Sequence, residues 1–250
     1  MTTNLDLRIY ATPADLFEAA AEDFVEQATG AVQARGRFTI ALSGGSTPKG
    51  LFQVLSSKDH DRLPWDRMFF FWGDERHVSP EDPESNYRMA RETLLSKVPI
   101  PEQNIFRVLA EDTDANRAAE KYEGTLKQFF APPAGRLPQF DLVLLGMGPD
   151  GHTASLFPQS KGLREKQRLV IANWVEKFST DRITFTAPLL NAARVVEFLV
   201  AGADKAPALR EVLEGNASPD LYPSKMIRPV NGKLVWMVDQ AAAAGLSAKR

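Results

Sequence analysis

The stretch that most limits what this chain can fold into is FDLVLLGMGPDGHTASLFP, residues 140–158. It begins with Leu142-Val143-Leu144-Leu145, a short and continuous apolar run. That is the pattern of a strand covered on both faces in a parallel sheet. The run breaks at Gly146, Gly148, Pro149 and Gly151, residues that permit a sharp turn and a close approach of backbone to a ligand. Asp150 and His152 sit inside the turn, with Thr153 and Ser155 just beyond. Open α/β sheets bind ligands outside the carboxyl ends of their strands, so a titratable pair at that edge is a candidate for chemistry.

The same grammar recurs. Residues 38–42, FTIAL, run into Ser43-Gly44-Gly45-Ser46-Thr47-Pro48, and the spacing of Leu51, Phe52, Val54 and Leu55 predicts a helix after the turn. The backbone N–H groups, the hydroxyls of Ser43, Ser46 and Thr47, and a helix N-terminus suit an anion such as phosphate. The loop is neither a Walker A sequence nor GxGxxG, and an ordinary capped strand–helix turn explains it equally well. A third buried-strand run, MFFFW at 68–72, empties into Gly73-Asp74-Glu75-Arg76-His77-Val78. Asp74 and Arg76 are placed to address a polar, anionic substrate; the alternative is a surface salt-bridge cluster. Lys205 follows the strand expected at 195–200 and falls on a first helical turn, where a cation opposes the helix dipole unless an anion offsets it.

Strands are also expected at 7–10, 104–107, 169–172, 182–186 and 234–238. Helices are expected from Ala14 to about Arg35 behind a Thr12-Pro13 start, over 113–130 and 188–193, and from Ala208 onward, with an alanine-rich tail at the end. Strands alternating with helices predict a three-layer α/β fold with a mostly parallel sheet, as one domain over residues 1–250. With 44% apolar and 25% charged residues the composition is that of a soluble globular protein, and a net charge of −2 argues against nucleic acid or an anionic membrane as partner. The absence of cysteine removes disulfides, thiolate nucleophiles and cysteine-ligated metals together. His60, His77 and His152 lack metal-ligand spacing, so neither a metal nor a cofactor is expected. No apolar run approaches a membrane span and the first residues have no signal-segment character, which makes a cytoplasmic location the expectation.

Taken together, SGGSTPKGLF, FFWGDERHVSPEDPESNYRMARETLL, FDLVLLGMGPDGHTASLFP and RITFTAPLLNAARVVEFLVAGADKA resemble the 6-phosphogluconolactonases of the oxidative pentose phosphate pathway, over about residues 10–240. The resemblance implies a Rossmann-like fold shared with sugar-phosphate isomerases and CoA transferases. It implies hydrolysis of 6-phospho-D-glucono-1,5-lactone to 6-phosphogluconate without metal or organic cofactor, and substrate contacts by Arg182 and Lys205. Glucosamine-6-phosphate deaminases have a similar loop, but theirs continues Ile-Ala-Phe-Asn-Glu-Pro with a catalytic glutamate. Here Thr153-Ala154-Ser155-Leu156-Phe157-Pro158 puts Phe157 at that place, which favours the lactonase. A non-catalytic sugar-phosphate sensor is the remaining alternative, and no DNA-binding segment accompanies the fold.

A lactone is an activated ester, so water, a base and help for the oxyanion suffice. His152 is the expected general base. Asp150 or Asp74 orients it or meets sugar hydroxyls, and the sequence leaves that choice open. Backbone N–H groups from Gly148 to Gly151 are candidates for the oxyanion. The 6-phosphate is expected across Ser43, Gly44, Gly45, Ser46 and Thr47, with Arg76, Arg182 and Lys205 supplying positive charge. Ser43, Ser46 and Ser155 lack a nucleophile-elbow GxSxG context. His77 and Arg88 are read as structural alternatives to site residues, and monomer and homodimer both stay open.

Overall fold

The apolar runs do become strands of one parallel sheet. The structure, a computed structural model, describes residues 5–57 and 60–247. The readings made of the first residues, of the last three and of the His60 side chain lie outside what is described. In chain order the elements are β1 (Leu5–Tyr10), α1 (Pro13–Arg35), β2 (Phe38–Leu42), α2 (Ser46–Ser57), β3 (Met68–Trp72), β4 (Asp74–Arg76), α3 (Asn86–Ala90), α4 (Ala115–Phe130) and β5 (Leu142–Leu145). They continue with β6 (Val170–Val175), β7 (Thr180–Phe185), α5 (Ala187–Leu190), β8 (Val195–Val200), α6 (Ala206–Glu214), β9 (Lys233–Asp239) and α7 (Gln240–Ala243). Six strands form a sheet in the order β1-β9-β8-β5-β2-β3, every neighbouring pair parallel. All residues of β2 and β5 are buried, as continuous apolar runs require.

Local signals set the helix ends. Thr12 caps α1 by accepting from the Asp15 amide while the Asp15 carboxylate accepts from the Thr12 amide, and Gly36, at φ 74°, closes the far end in the left-handed conformation. The Phe24 ring of α1 meets Phe38 of β2 edge-on at 5.5 Å, whereas Phe69 and Phe71 of β3 pack on Phe129 of α4. Because Phe38 pairs with Met68, α1 and α4 lie on opposite faces of the sheet, which makes the three layers. Removing one of the fully buried rings among them, Phe24, Phe38 or Phe71, costs about 3–5 kcal/mol. Buried side chains from Leu16 to Ala242 form one continuous core. Among the described residues no helix is long and apolar enough to cross a membrane.

Two elements differ from the sequence reading. Residues 73–78 are not simply a polar loop: Gly73 donates to Leu42 O at 2.9 Å and accepts from the Phe185 amide at 2.8 Å. The chain then leaves the central sheet, and β4 pairs antiparallel with β7, which pairs with β6, as a second three-stranded sheet. Asp-Glu-Arg carries no strand propensity; a tertiary ladder imposes the conformation. The strand expected at 104–107 is only a bridge of Ile105 to Phe70, because Glu102–Asn104 is a 3₁₀ turn held by Asn104 Nδ2 on Asp66 O. The Phe106 amide still bonds Phe70 O, so this segment covers the open edge of β3.

Candidate active site

β8, β5, β2 and β3 are consecutive in the sheet, and the segments leaving their carboxyl ends surround one cleft of about 220 Å³. From one end to the other its wall presents Lys205 after β8, Gly148 and His152 after β5, Ser43 to Thr47 after β2, and Asp74 and Arg76 after β3. Asp150, Gly151 and Arg182, also expected at the site, are not part of this wall.

Asp150 stands beside the imidazole instead: its Oδ1 lies 2.5 Å from His152 Nδ1 and 3.2 Å from the His152 amide. Burial alone pushes the Asp150 carboxyl up, but the bonds and charge from His152, with Lys177 nearby, outweigh it and hold it at about 2. An ionised Asp150 makes Nδ1 the donor, which leaves Nε2 as the basic nitrogen, without a partner among the described residues. This decides between the two carboxylates. Asp74 accepts from Ser155 Oγ at 2.7 Å and, weakly, from Asn86 Nδ2 at 3.5 Å, and has no contact with the ring.

The ring is closely surrounded. Phe157 stacks on it with centroids 4.2 Å apart and planes 21° apart. A Cβ added to Gly148 would come within 2.1 Å of His152 Cε1 and Nδ1. The Gly148 amide donates to His152 O and the Gly151 amide to Gly148 O, both at 2.9 Å, so neither is available to an oxyanion as the sequence reading expected. Gly151, at φ 76°, is required for a different reason: a Cβ there would meet Tyr222 Cδ1 at 2.6 Å. Its carbonyl accepts from the Ser224 amide and hydroxyl.

At the far end, Arg76 and Arg182 face each other across the β4–β7 ladder. The Nε atoms of both are buried without a hydrogen-bond partner, although Arg76 Nη1 donates to Glu84 O. Arg182 is 7% exposed and lies over the Phe178 ring at 5.0 Å. Burial and then the charge of Arg76 act to lower its pKa, against the charges of Asp74, Glu84 and Glu75. Lys205 Nζ pairs with its neighbour Asp204 at 2.5 Å. The first turn of α2 adds Gly45 at φ 101° and amide groups that have no intrahelical acceptor.

Sequence reasoning missed Asn86. It is buried in the cleft wall, donates to Asp74 O at 2.9 Å, and fits only because Gly44 has no Cβ, which would lie 1.8 Å from its Oδ1. Its neighbour Glu75 accepts from the amides of Asn86, Tyr87 and Arg76 at 2.7–2.8 Å and from Ser85 Oγ, tying the 85–87 turn to β4. Burial pushes the Glu75 carboxyl up against those donors. The tract ESNYRMA carried a signal only as part of the family resemblance. His77 bonds Asp112 O, and Arg88 bonds Glu92 and Glu81 O; both are structural here. Among the described residues no group of three His, Asp or Glu side chains could hold a metal.

A fold with chemistry at the ends of consecutive parallel strands and a cationic, hydroxyl-lined cleft defines the class, and the relatives agree with it. The family model described as glucosamine-6-phosphate isomerases/6-phosphogluconolactonase matches residues 11–236. The chain belongs to that family. The 6-phosphogluconolactonase of Nostoc sp. is 49% identical over 217 residues, 87% of this chain and 88% of the relative. That of Synechocystis sp. is 46% identical over 231 residues, 92% and 94% of the two. A solved 6-phosphogluconolactonase from Trypanosoma cruzi matches with a TM-score of 0.88 at 31% identity, covering 99% of both chains. A monomeric glucosamine-6-phosphate deaminase shares the fold, with a TM-score of 0.77 at 19% identity. Within the family the chain stands with the lactonases and is an enzyme of the lactone-hydrolase kind.

Proposed function

We propose that this enzyme hydrolyses 6-phospho-D-glucono-1,5-lactone to 6-phospho-D-gluconate, with His152 as the base that activates water. The observation that carries the mechanism is the 2.5 Å contact between His152 Nδ1 and Asp150, which leaves Nε2 free at a cleft lined by cations and hydroxyls. Nε2 takes a proton from water as the water oxygen bonds to the lactone carbonyl carbon. Collapse of the tetrahedral intermediate breaks the bond to the ring oxygen, which leaves with the proton returned from His152. The new carboxyl group then ionises. Asp150 keeps the productive tautomer and offsets the transient imidazolium charge. The substrate's 6-phosphate is assigned to the Ser43–Thr47 turn and the cations flanking the cleft, where unpaired N–H donors and Arg76 await an anion. In the loop sequence Phe157 stands where the deaminases have their glutamate, and the lack of that carboxylate supports simple hydrolysis over ring opening and isomerisation.

The test is the rate of hydrolysis of freshly generated lactone, corrected for spontaneous opening, for wild type and His152→Ala. Loss of at least about a hundredfold in kcat in a folded variant that still binds 6-phosphogluconate is expected of a lost base. Wild-type turnover by His152→Ala refutes the assignment. Inactivity of the wild type on the lactone, with deamination of glucosamine 6-phosphate, refutes the reaction.

A further inference from the structure

The β6–β7 hairpin lies outside the cleft wall, yet its tip reaches Asp150 directly through Lys177 and His152 indirectly, through Phe178 on Phe157. The tip is the 3₁₀ turn Glu176–Phe178, closed by Ser179 at φ 47°, a left-handed conformation that serine adopts only where surroundings hold it. Lys177 Nζ stands 3.7 Å from Asp150 Oδ2, the carboxylate oxygen that His152 does not use. The Phe178 ring meets Phe157 edge-on, centroids 5.8 Å apart at 81°. Phe157 in turn is the ring stacked on the imidazole, and Arg182 lies over Phe178. The result is an unbroken series of rings and charges: Arg182, Phe178, Phe157, His152.

Phe178 is 47% exposed, so its burial contributes little to the core, whereas Phe157 is 6% exposed. A large apolar ring left half in water at a strained turn, in contact with the one ring that backs the imidazole, is placed for what it holds. We propose that the hairpin tip is a positioning element of the active site: Phe178 wedges Phe157 against the face of His152, while Lys177 fixes the outer oxygen of Asp150. This rests on His152 being the base. The imidazole also lies close to Gly148, where a Cβ would come within 2.1 Å of Cε1 and Nδ1, so pressure from Phe157 narrows the positions open to this ring at the cleft wall. Without the wedge Phe157 gains rotamer freedom, the imidazole follows, and the fraction of time Nε2 spends in line with the attacking water falls.

The readout is the split between kcat and KM. An aromatic contact of this kind corresponds to about a two- to tenfold change in kcat. Phe178→Ala is expected to lower kcat by that factor with KM held, and Phe178→Tyr to restore it. Because the action passes through Phe157, Phe178→Ala has no further effect in a Phe157→Leu background. Thermal unfolding of each variant establishes that it is folded, and the half-exposed position of Phe178 makes that the expected result for the single variant. Unchanged kcat in folded Phe178→Ala overturns the proposal. So does a rise in KM alone, which places the ring's role at Arg182, and so does full additivity with Phe157→Leu. The parallel His152→Ala measurement separates the two readings. Retained activity there removes the base assignment itself, whereas an inactive His152→Ala beside an unaffected Phe178→Ala removes only the positioning role.

Discussion

Gly148→Ala is the substitution whose consequence follows most directly from the coordinates. The added Cβ falls 2.1 Å from His152 Cε1 and Nδ1 and 2.8 Å from Asp150 Oδ1. Carbon atoms in ordinary contact stand about 3.5–4.0 Å apart, so the ring must move by roughly 1.4 Å or more. Its freedom to move is limited by Phe157, which is stacked on one face at 4.2 Å. The imidazole must swing about its side-chain torsions and lose its bond to Asp150. A misplacement of about 1 Å costs on the order of a hundredfold in rate, equivalent to ~2.7 kcal/mol of transition-state stabilisation. Gly148 is not among the positive-φ glycines, so alanine introduces no backbone strain there, and folding stability should change by no more than about 1 kcal/mol. The assay is initial-rate hydrolysis of the lactone with spontaneous opening subtracted, beside thermal unfolding of the same samples. A folded variant with kcat within about threefold of wild type refutes the argument that this contact sets the position of the base.

Other expectations are as direct. Gly44→Ala drives a Cβ to 1.8 Å from Asn86 Oδ1, and Asn86 is anchored to Asp74 O, so kcat/KM should fall about tenfold or more; an unchanged value shows that the wall can yield freely. Tyr122→Phe removes a hydroxyl that accepts from the Trp72 amide at 2.8 Å and contacts Trp72 O and Phe106 O at 3.2 Å; a loss of about 1–3 kcal/mol in denaturant titration is expected, and equal midpoints refute it. Glu197 is raised to about 8, first by burial and then by the charge of Asp23, against Arg8 and the bond from Gln27. The native state therefore keeps a proton that the unfolded chain releases near 4.5, so this contribution is complete below that pH and disappears as pH rises through 8, with a ceiling of about 5 kcal/mol. Glu197→Gln should flatten the fall in stability between pH 6 and 8.5 in urea titrations, and parallel curves for the two proteins would exclude the linkage.

The three loops around the cleft were legible because each ends an uninterrupted apolar run, and burial on both faces leaves such a run little choice but a parallel strand. What stayed hidden depends on contacts between distant segments. Nothing in Asp74-Glu75-Arg76 announces a strand; its partner at Arg182–Thr184 makes it one. The choice between Asp150 and Asp74 turns on which carboxylate the loop brings against Nδ1, and spacing could not reveal that. Gly151 was read as a glycine the turn requires, and the neighbour that a side chain there would meet, Tyr222, lies far away in sequence and could not be read from the loop. The Gly148 amide is consumed by the turn's own hydrogen bond, a cost of making a loop that tight. Asn86 offered no pattern because its partner is the missing side chain of Gly44.

The strand order also bears on how the chain is made. β1 is synthesised well before β9, and β9 is the strand it pairs with in the sheet. At ribosomal speeds of about 5–20 residues per second it waits roughly 10–45 s for that partner. All residues of the cleft have been made once Lys205 has emerged, but β8 keeps an open edge until Lys233–Asp239 arrive to close it. A chain halted between those points has every residue of the cleft and a sheet whose β8 flank is unpaired, a state prone to stick to another chain. β9 thus completes the sheet on two sides in one step, securing β1 and covering the edge of β8.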